Sequence, residues 1–139
     1  MKDQFPSLTG LNHKQTSNQT PNYNCIAWAA EENDRWWWPE YRGYWPKNVK
    51  RSVDINSFFE AFKTIGYEIC PDGNLEEGFK KVAIYTDQHG KPTHMARQLA
   101  DGTWTSKLGK YIDINHFDLK AIEGPAYGTV SAFMKKTIE

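Results

Sequence analysis

An α+β domain, with N-terminal helices packed on an antiparallel β-sheet, is the fold class that this sequence predicts. Apolar residues recur at three- and four-residue steps between positions 54 and 65, the spacing of an amphipathic helix. After Gly66 the pattern changes to short β-branched and aromatic runs separated by turn dipeptides. Helix signals come first and strand signals follow, which suits helices on a β-meander better than alternating βαβ units. The 139 residues have the length of a single domain, 1–139, able to bury a core without disulfide staples.

Residues 1–21 are rich in Asn, Gln, Thr, Ser and Pro and show no period. They are expected to form an irregular arm beside a core of residues 22–139. Pro21-Asn22 is a turn, and Asn22 or Asn24 supplies the cap of a first helix over 24–33. Ile26, Ala27, Ala29 and Ala30 give that helix small sides suited to burial. Residues 35–46 hold four Trp and two Tyr together with Pro39, Gly43 and Pro46, so they read as an aromatic loop. The second helix, 54–65, presents Ile55, Phe58, Phe59, Phe62 and Ile65 on one face and stops at Gly66.

Strands are expected over 67–70, 81–86, 93–99, 103–108 and 128–134, with a short helix over 115–122. Asp101-Gly102 marks a hairpin. A two-residue turn there would put Thr105 and Lys107 on the face of His94. A three-residue bulged turn would put Trp104 and Ser106 there instead.

Composition narrows the function classes. Lys plus Arg and Asp plus Glu each number 17, so net charge is near zero and nothing global draws the chain to nucleic acid or an anionic membrane. No apolar run approaches the ~20 residues that span a bilayer. The polar N-terminus lacks a signal peptide's apolar centre, so a cytoplasmic location is expected, although export by a signal-less route is compatible with the same sequence. Cys25 and Cys70 are expected to be free thiols. No Cys-x-x-Cys, His-x-x-x-His or glycine-rich phosphate loop occurs, so neither a metal nor another cofactor is expected.

Cys25 is the leading candidate for chemistry. At a helix start its thiolate is favoured by free N–H groups and the backbone dipole. A histidine reaching it from the sheet would make a nucleophile and its base. Among His13, His89, His94 and His116, only His94 is centred in an expected strand. The Cys25 N–H is a natural oxyanion donor, with Asn24 beside it. Of the aromatic loop, most rings are expected to anchor the loop, with Trp37 and Trp38 the candidates to line a cleft.

Three segments carry a family resemblance: Asn24-Cys25-Ile26-Ala27-Trp28, Val82-Ala83-Ile84-Tyr85 and Thr93-His94-Met95-Ala96. Together they resemble the papain-like superfamily in its compact bacterial form, the NlpC-type and amidohydrolase/peptidase-type cysteine hydrolases, over roughly residues 22 to 108. Cys25 is followed by Ile26, without the Ser and Gly common in the NlpC type. Asn-Cys-Ile-Ala-Trp-Ala, Trp104–Gly109 and Asp113–His116 also resemble a group of small uncharacterised bacterial proteins.

The superfamily resemblance implies a papain-like α+β domain that cleaves an amide or isopeptide bond through Cys25 and His94. It implies a third residue that orients the imidazole, Asp113 or Ser106, and suggests Gln19 as an oxyanion glutamine. The implied substrate is a peptide or peptidoglycan-like amide. The alternative reading is a non-catalytic binding module that contacts a protein partner through residues 36–45.

Overall fold

The computed structural model describes residues 5–9, 12–16, 22–40, 43–108 and 112–138. Its main body is one seven-stranded antiparallel sheet. The strands are β1 (His13–Gln15), β2 (Glu68–Cys70), β3 (Phe79–Thr86), β4 (Pro92–Gln98), β5 (Trp104–Lys107), β6 (Asp113–His116) and β7 (Thr129–Thr137). They lie in the order β1-β6-β5-β4-β3-β7-β2. Two short helices accompany them, α1 (Cys25–Ala29) and α2 (Ile55–Lys63), with a 3-10 turn at Leu119–Ile122.

The fold is therefore mainly β, which corrects the expected α+β class. Two sequence expectations misled. The first helix spans five residues, not ten. It ends because Glu31 takes a left-handed conformation (φ 66°), with the Glu31 N–H donating to Trp28 O and the Glu32 N–H to Ala27 O. This is the usual C-terminal helix closure, made here without a glycine. The second expectation concerned 115–122, where residues 113–116 form β6 and only 119–122 coil. The N-terminal arm also contributes, since β1 pairs with β6 through His13↔His116 and Gln15↔Ile114.

Helix α2 forms as expected. Asp54 caps it by accepting from the Ser57 N–H at 2.8 Å, and Gly66 follows its end at φ 98°. Phe58, Ala61 and Phe62 are buried. Phe58 meets Trp45 and Trp38, and Phe62 meets Trp37 and Tyr67, with ring centroids 5.1–5.8 Å apart. The aromatic loop is thus mostly a packing device, holding α2 against the sheet by rings rather than by regular backbone.

Strand periodicity divides the core into two layers. Val82, Ile84, Met95 and Met134 face α1 and α2. Ala83, Tyr85, Ala96, Trp104 and Ile114 face the opposite side, where Phe5, Leu8 and the 3-10 turn cover them. The β4–β5 connection decides which polar residues fall on which side. Gln98 pairs with Trp104 and Arg97 with Thr105, and Gly102 sits at φ 88°. This is the register of the bulged alternative, so Trp104 and Ser106 share the face of His94, while Thr105 and Lys107 face α1.

Candidate functional site

Asn24 organises the start of α1. Its Oδ1 accepts from the Ala27 N–H at 3.2 Å and from the Trp37 N–H at 3.0 Å, and its Nδ2 donates to Trp37 O at 2.7 Å. One buried side chain thereby caps the helix and pins the aromatic loop to it. Its three bonds hold it in place as the cap of α1, at the edge of the cavity. At the helix's other end Arg97 donates to Trp28 O at 3.2 Å, and the Trp28 indole N–H reaches Thr105 Oγ1 at 3.0 Å. These contacts seat α1 across β4 and β5.

Beside the helix start lies a cavity of about 680 Å³, within the range of small-ligand sites. Cys25, Asn22 and Asn24 contribute from the helix entry, and Arg35, Trp36, Trp38, Glu40 and Gly43 from the aromatic loop. Thr93 and Tyr127 complete it from the end of the sheet. Tyr127 is delivered by a tight turn in which Gly124 and Gly128 exchange backbone hydrogen bonds of 3.1 and 2.8 Å. A Cβ on Gly128 would lie 2.0 Å from Thr86 O, so only glycine fits there.

Cys25 is a free thiol, 7% exposed. Burial pushes its pKa up to about 11, against the pull of the backbone N–H groups of Met95, Ile26 and Cys25 itself and of the Lys107 charge. Because α1 has five residues, the helix dipole is small and these individual N–H donors matter more. The sulfur therefore rests as a protonated thiol with anion-stabilising donors already around it.

Buried polar groups on its side of the sheet include Lys107, Asp113 and Tyr23. Lys107 and Asp113 are register partners on β5 and β6, 0% and 1% exposed. The Tyr23 hydroxyl donates to Asp113 Oδ2, and Lys107 Nζ lies 5.2 Å from the Tyr23 ring centroid. Burial lowers the Lys107 pKa, while the charges of Asp113 and Cys25 act to raise it.

His94 lies elsewhere. It leaves β4 on the opposite face from Met95 and the Cys25 layer, edge-on to Tyr85 (5.3 Å) and stacked on Tyr127 (4.0 Å, 12°). Its Nε2 is 3.0 Å from Ser106 Oγ, which is 2.8 Å from His116 Nε2. His116 Nδ1 is 2.8 Å from Asp118 O. A carbonyl only accepts, so His116 carries its proton on Nδ1 and its Nε2 accepts from Ser106. Ser106 Oγ then accepts from His94 Nε2–H. This leaves His94 Nδ1 an unprotonated nitrogen, buried and without a hydrogen-bond partner. Burial and the neighbouring His116 hold the His94 pKa well below the ordinary value.

The expected Cys25–His94 dyad is therefore corrected: β4 presents Met95, not His94, to the helix. Ser106 hydrogen-bonds His94, but on the face away from Cys25. Asp113 sits on the cysteine's face and serves Lys107 and Tyr23 rather than His94. Trp37 is buried in the core at 1% exposure, whereas Trp38 lines the cavity as expected. Gln19 lies outside the described residues. As site residues, Lys107, Tyr23, Arg35 and Tyr127 were passed over in the sequence, and Trp36 entered only as part of the 36–45 contact loop. For Lys107 the signal was present in the alternation of Thr105 and Lys107, once the turn length was known. Cys70, the second free thiol, is buried and donates to Asp72 O at 3.4 Å, remote from this site.

A family model described as a domain of unknown function, DUF7689, matches residues 14–135. The chain belongs to the DUF7689 family. The match to the DUF7689 domain spans β1 to β7 without its last residues and includes Cys25, Lys107, Asp113 and the His94 chain, but it brings no activity with it. No curated protein and no solved structure matches the chain. Among the described residues, no group of three His, Cys, Asp or Glu is placed to hold a metal ion. No helix among them is long and apolar enough to cross a membrane.

Proposed function

We propose that this DUF7689 domain is a thiol hydrolase or acyl-transfer enzyme, with Cys25 as its nucleophile and an amide or isopeptide as its substrate. The observation that carries this reading is the setting of the Cys25 sulfur. It borders an open cavity, with three backbone N–H groups and a buried lysine's charge acting on it. A thiolate or the oxyanion of a tetrahedral adduct is stabilised by such donors. The resemblance of the 24–28 segment to papain-like thiol hydrolases points the same way. The cavity's aromatic wall suits an apolar or aromatic side chain flanking the scissile bond.

The test is to incubate the protein with a pool of peptide amides, quench in acid and look for an acyl group on Cys25 by peptide mass. An acyl-Cys25 species that turns over, absent in Cys25→Ala, is expected. Absence of both adduct and product across the pool would overturn the reading.

One observation favours a second reading. The thiol is protonated at rest, and the cavity is bounded by Trp36, Trp38 and Tyr127. A binding module for an aromatic peptide side chain would need nothing more. It predicts that aromatic peptides change the tryptophan fluorescence equally in wild type and Cys25→Ala, with no turnover.

A further inference from the structure

We propose that Lys107, rather than His94, is the proton and charge partner of the Cys25 thiol, with Asp113 and Tyr23 as the residues that position it. The inference rests on the thiol-enzyme reading and names the group that would activate its nucleophile. Its basis is the placement of side chains by the sheet. β5 turns Thr105 and Lys107 toward α1, and the Trp28–Thr105 hydrogen bond fixes the helix over that strand. Lys107 is fully buried there, although lysine is among the residues least often buried.

The other buried lysine shows what a structural role looks like. Lys81, 2% exposed, bridges Asp72 at 3.1 Å and Glu76 at 3.3 Å, two half-exposed carboxylates on the rim of the sheet. Its pKa is raised. Lys107 instead lies under the segment that carries the nucleophile. Tyr23, two residues before Cys25, covers the ammonium with its ring and ties its hydroxyl to Asp113, the register partner of Lys107. Burial lowers the Lys107 pKa from its ordinary value, the direction that favours the neutral amine a base needs.

Of the other charged groups near the thiol, Arg35 is held by another partner and the histidines lie across the sheet. Arg35 and Glu40 line the cavity, but Arg35 is held by Glu32 at 2.6 Å and lies over the Tyr44 ring. His94 and His116 are across the sheet.

The proton balance is simple. The Cys25 S–H proton passes to the lone pair of neutral Lys107 Nζ, giving thiolate and ammonium. The thiolate adds to the substrate carbonyl carbon and the C=O electron pair moves to oxygen. Collapse of that adduct breaks the C–N bond, and the leaving amine takes the proton back from Nζ. Water then cleaves the thioester.

Iodoacetamide alkylation of Cys25 against pH, followed by peptide mass, tests the partner without any substrate. Lys107→Met is expected to slow alkylation at pH 8 about tenfold, one unit of thiol pKa. Lys107→Arg, always ionised, is expected to move the inflection below that of wild type. His94→Phe, which keeps the stack on Tyr127, is expected to leave the profile unchanged. Should Lys107→Met fail to fold, the Lys107→Arg shift decides alone. A wild-type profile in the lysine variants, or a His94→Phe profile shifted upward in their place, overturns the inference. A lysine-dependent profile in a protein that never forms acyl-Cys25 would keep the inference and remove the enzyme reading.

Discussion

The two faces of the central sheet each carry a buried polar cluster, and they are built on different terms. On the α1 face, Cys25 lines a cavity open to solvent and shares its side of the sheet with buried Lys107, Asp113 and Tyr23. On the other face, His94, Ser106 and His116 form a chain that ends on the Asp118 carbonyl and is covered by Tyr127. The first cluster sets a buried lysine and carboxylate on the same face as a thiol that lines a cavity. The second is directed by a fixed acceptor and touches three adjacent segments, β4, β5 and β6. Its physical effect is to lock strand register, because a one-residue slip of β5 would replace Ser106 by Thr105 or Lys107. A buried histidine is thus weak grounds for catalysis until its face of the sheet is known.

Single-atom deletions on the two faces should break this comparison if it is wrong. Ser106→Ala removes one oxygen but strands two buried ring nitrogens, His94 Nε2–H and His116 Nε2. At about 1–3 kcal/mol for each unsatisfied group, a loss of about 2–6 kcal/mol is expected in the urea unfolding free energy. Cys25→Ala removes one sulfur from the other face, for a loss of about 1 kcal/mol. Equal losses would mean that the cysteine is as structural as the serine.

Acid should act on the far face first. His94 and His116 have pKa values below their ordinary range in the folded state, because burial disfavours the imidazolium. The unfolded chain therefore binds more protons as pH falls through about 6.5, and stability declines from there toward the folded-state values. Each histidine contributes a slope of up to about 1.4 kcal/mol per pH unit. Above pH 6.5 this contribution is fully present. His94→Phe should flatten the acid limb of the unfolding midpoint, measured from pH 8 to 4.5. An unaltered slope would place the acid sensitivity elsewhere.

Much of the chain was legible because its signals are local. Helix α2 with its Gly66 stop, the β3–β4–β5 meander, and Asn24 as one of two candidate caps follow from period, cap and turn chemistry. What escaped depends on distant contacts or on unmarked backbone. Glu31 ends α1 in a conformation that usually announces itself as glycine. β1 is three polar residues that become a strand by pairing with β6. Residues 113–116 alternate too briefly to be told from a helix entry. The site followed the same rule. Cys25 and Trp38 on the cavity were readable from position, as was the Ser106–His94 contact as one of two registers. Which face His94 occupies depends on the β4 pairing after the bulge between Tyr85 and Thr86, and no residue type announces that. The papain-like order of Cys, then His, carried an expectation about orientation that the alternation of β4 reverses.

One pair of neighbouring rings separates the cavity from the core. Trp36 and Trp37 are consecutive, yet Trp36 is 41% exposed on the cavity rim and Trp37 is 1% exposed against Tyr44 and Phe62. Trp36 leaves two fifths of its surface in solvent, so Trp36→Ala should cost less unfolding free energy than Trp37→Ala, which empties a fully buried site at about 3–5 kcal/mol. Trp36→Ala should weaken any aromatic ligand of the cavity at least about tenfold, because an exposed ring that stacks on a ligand contributes to binding what it does not contribute to folding. Isothermal titration with the best peptide from the amide pool measures it, alongside urea melts of the same protein. Unchanged affinity with unchanged stability would leave Trp36 without a role at the cavity, and the working face would then reduce to Cys25, Lys107 and the groups that hold them.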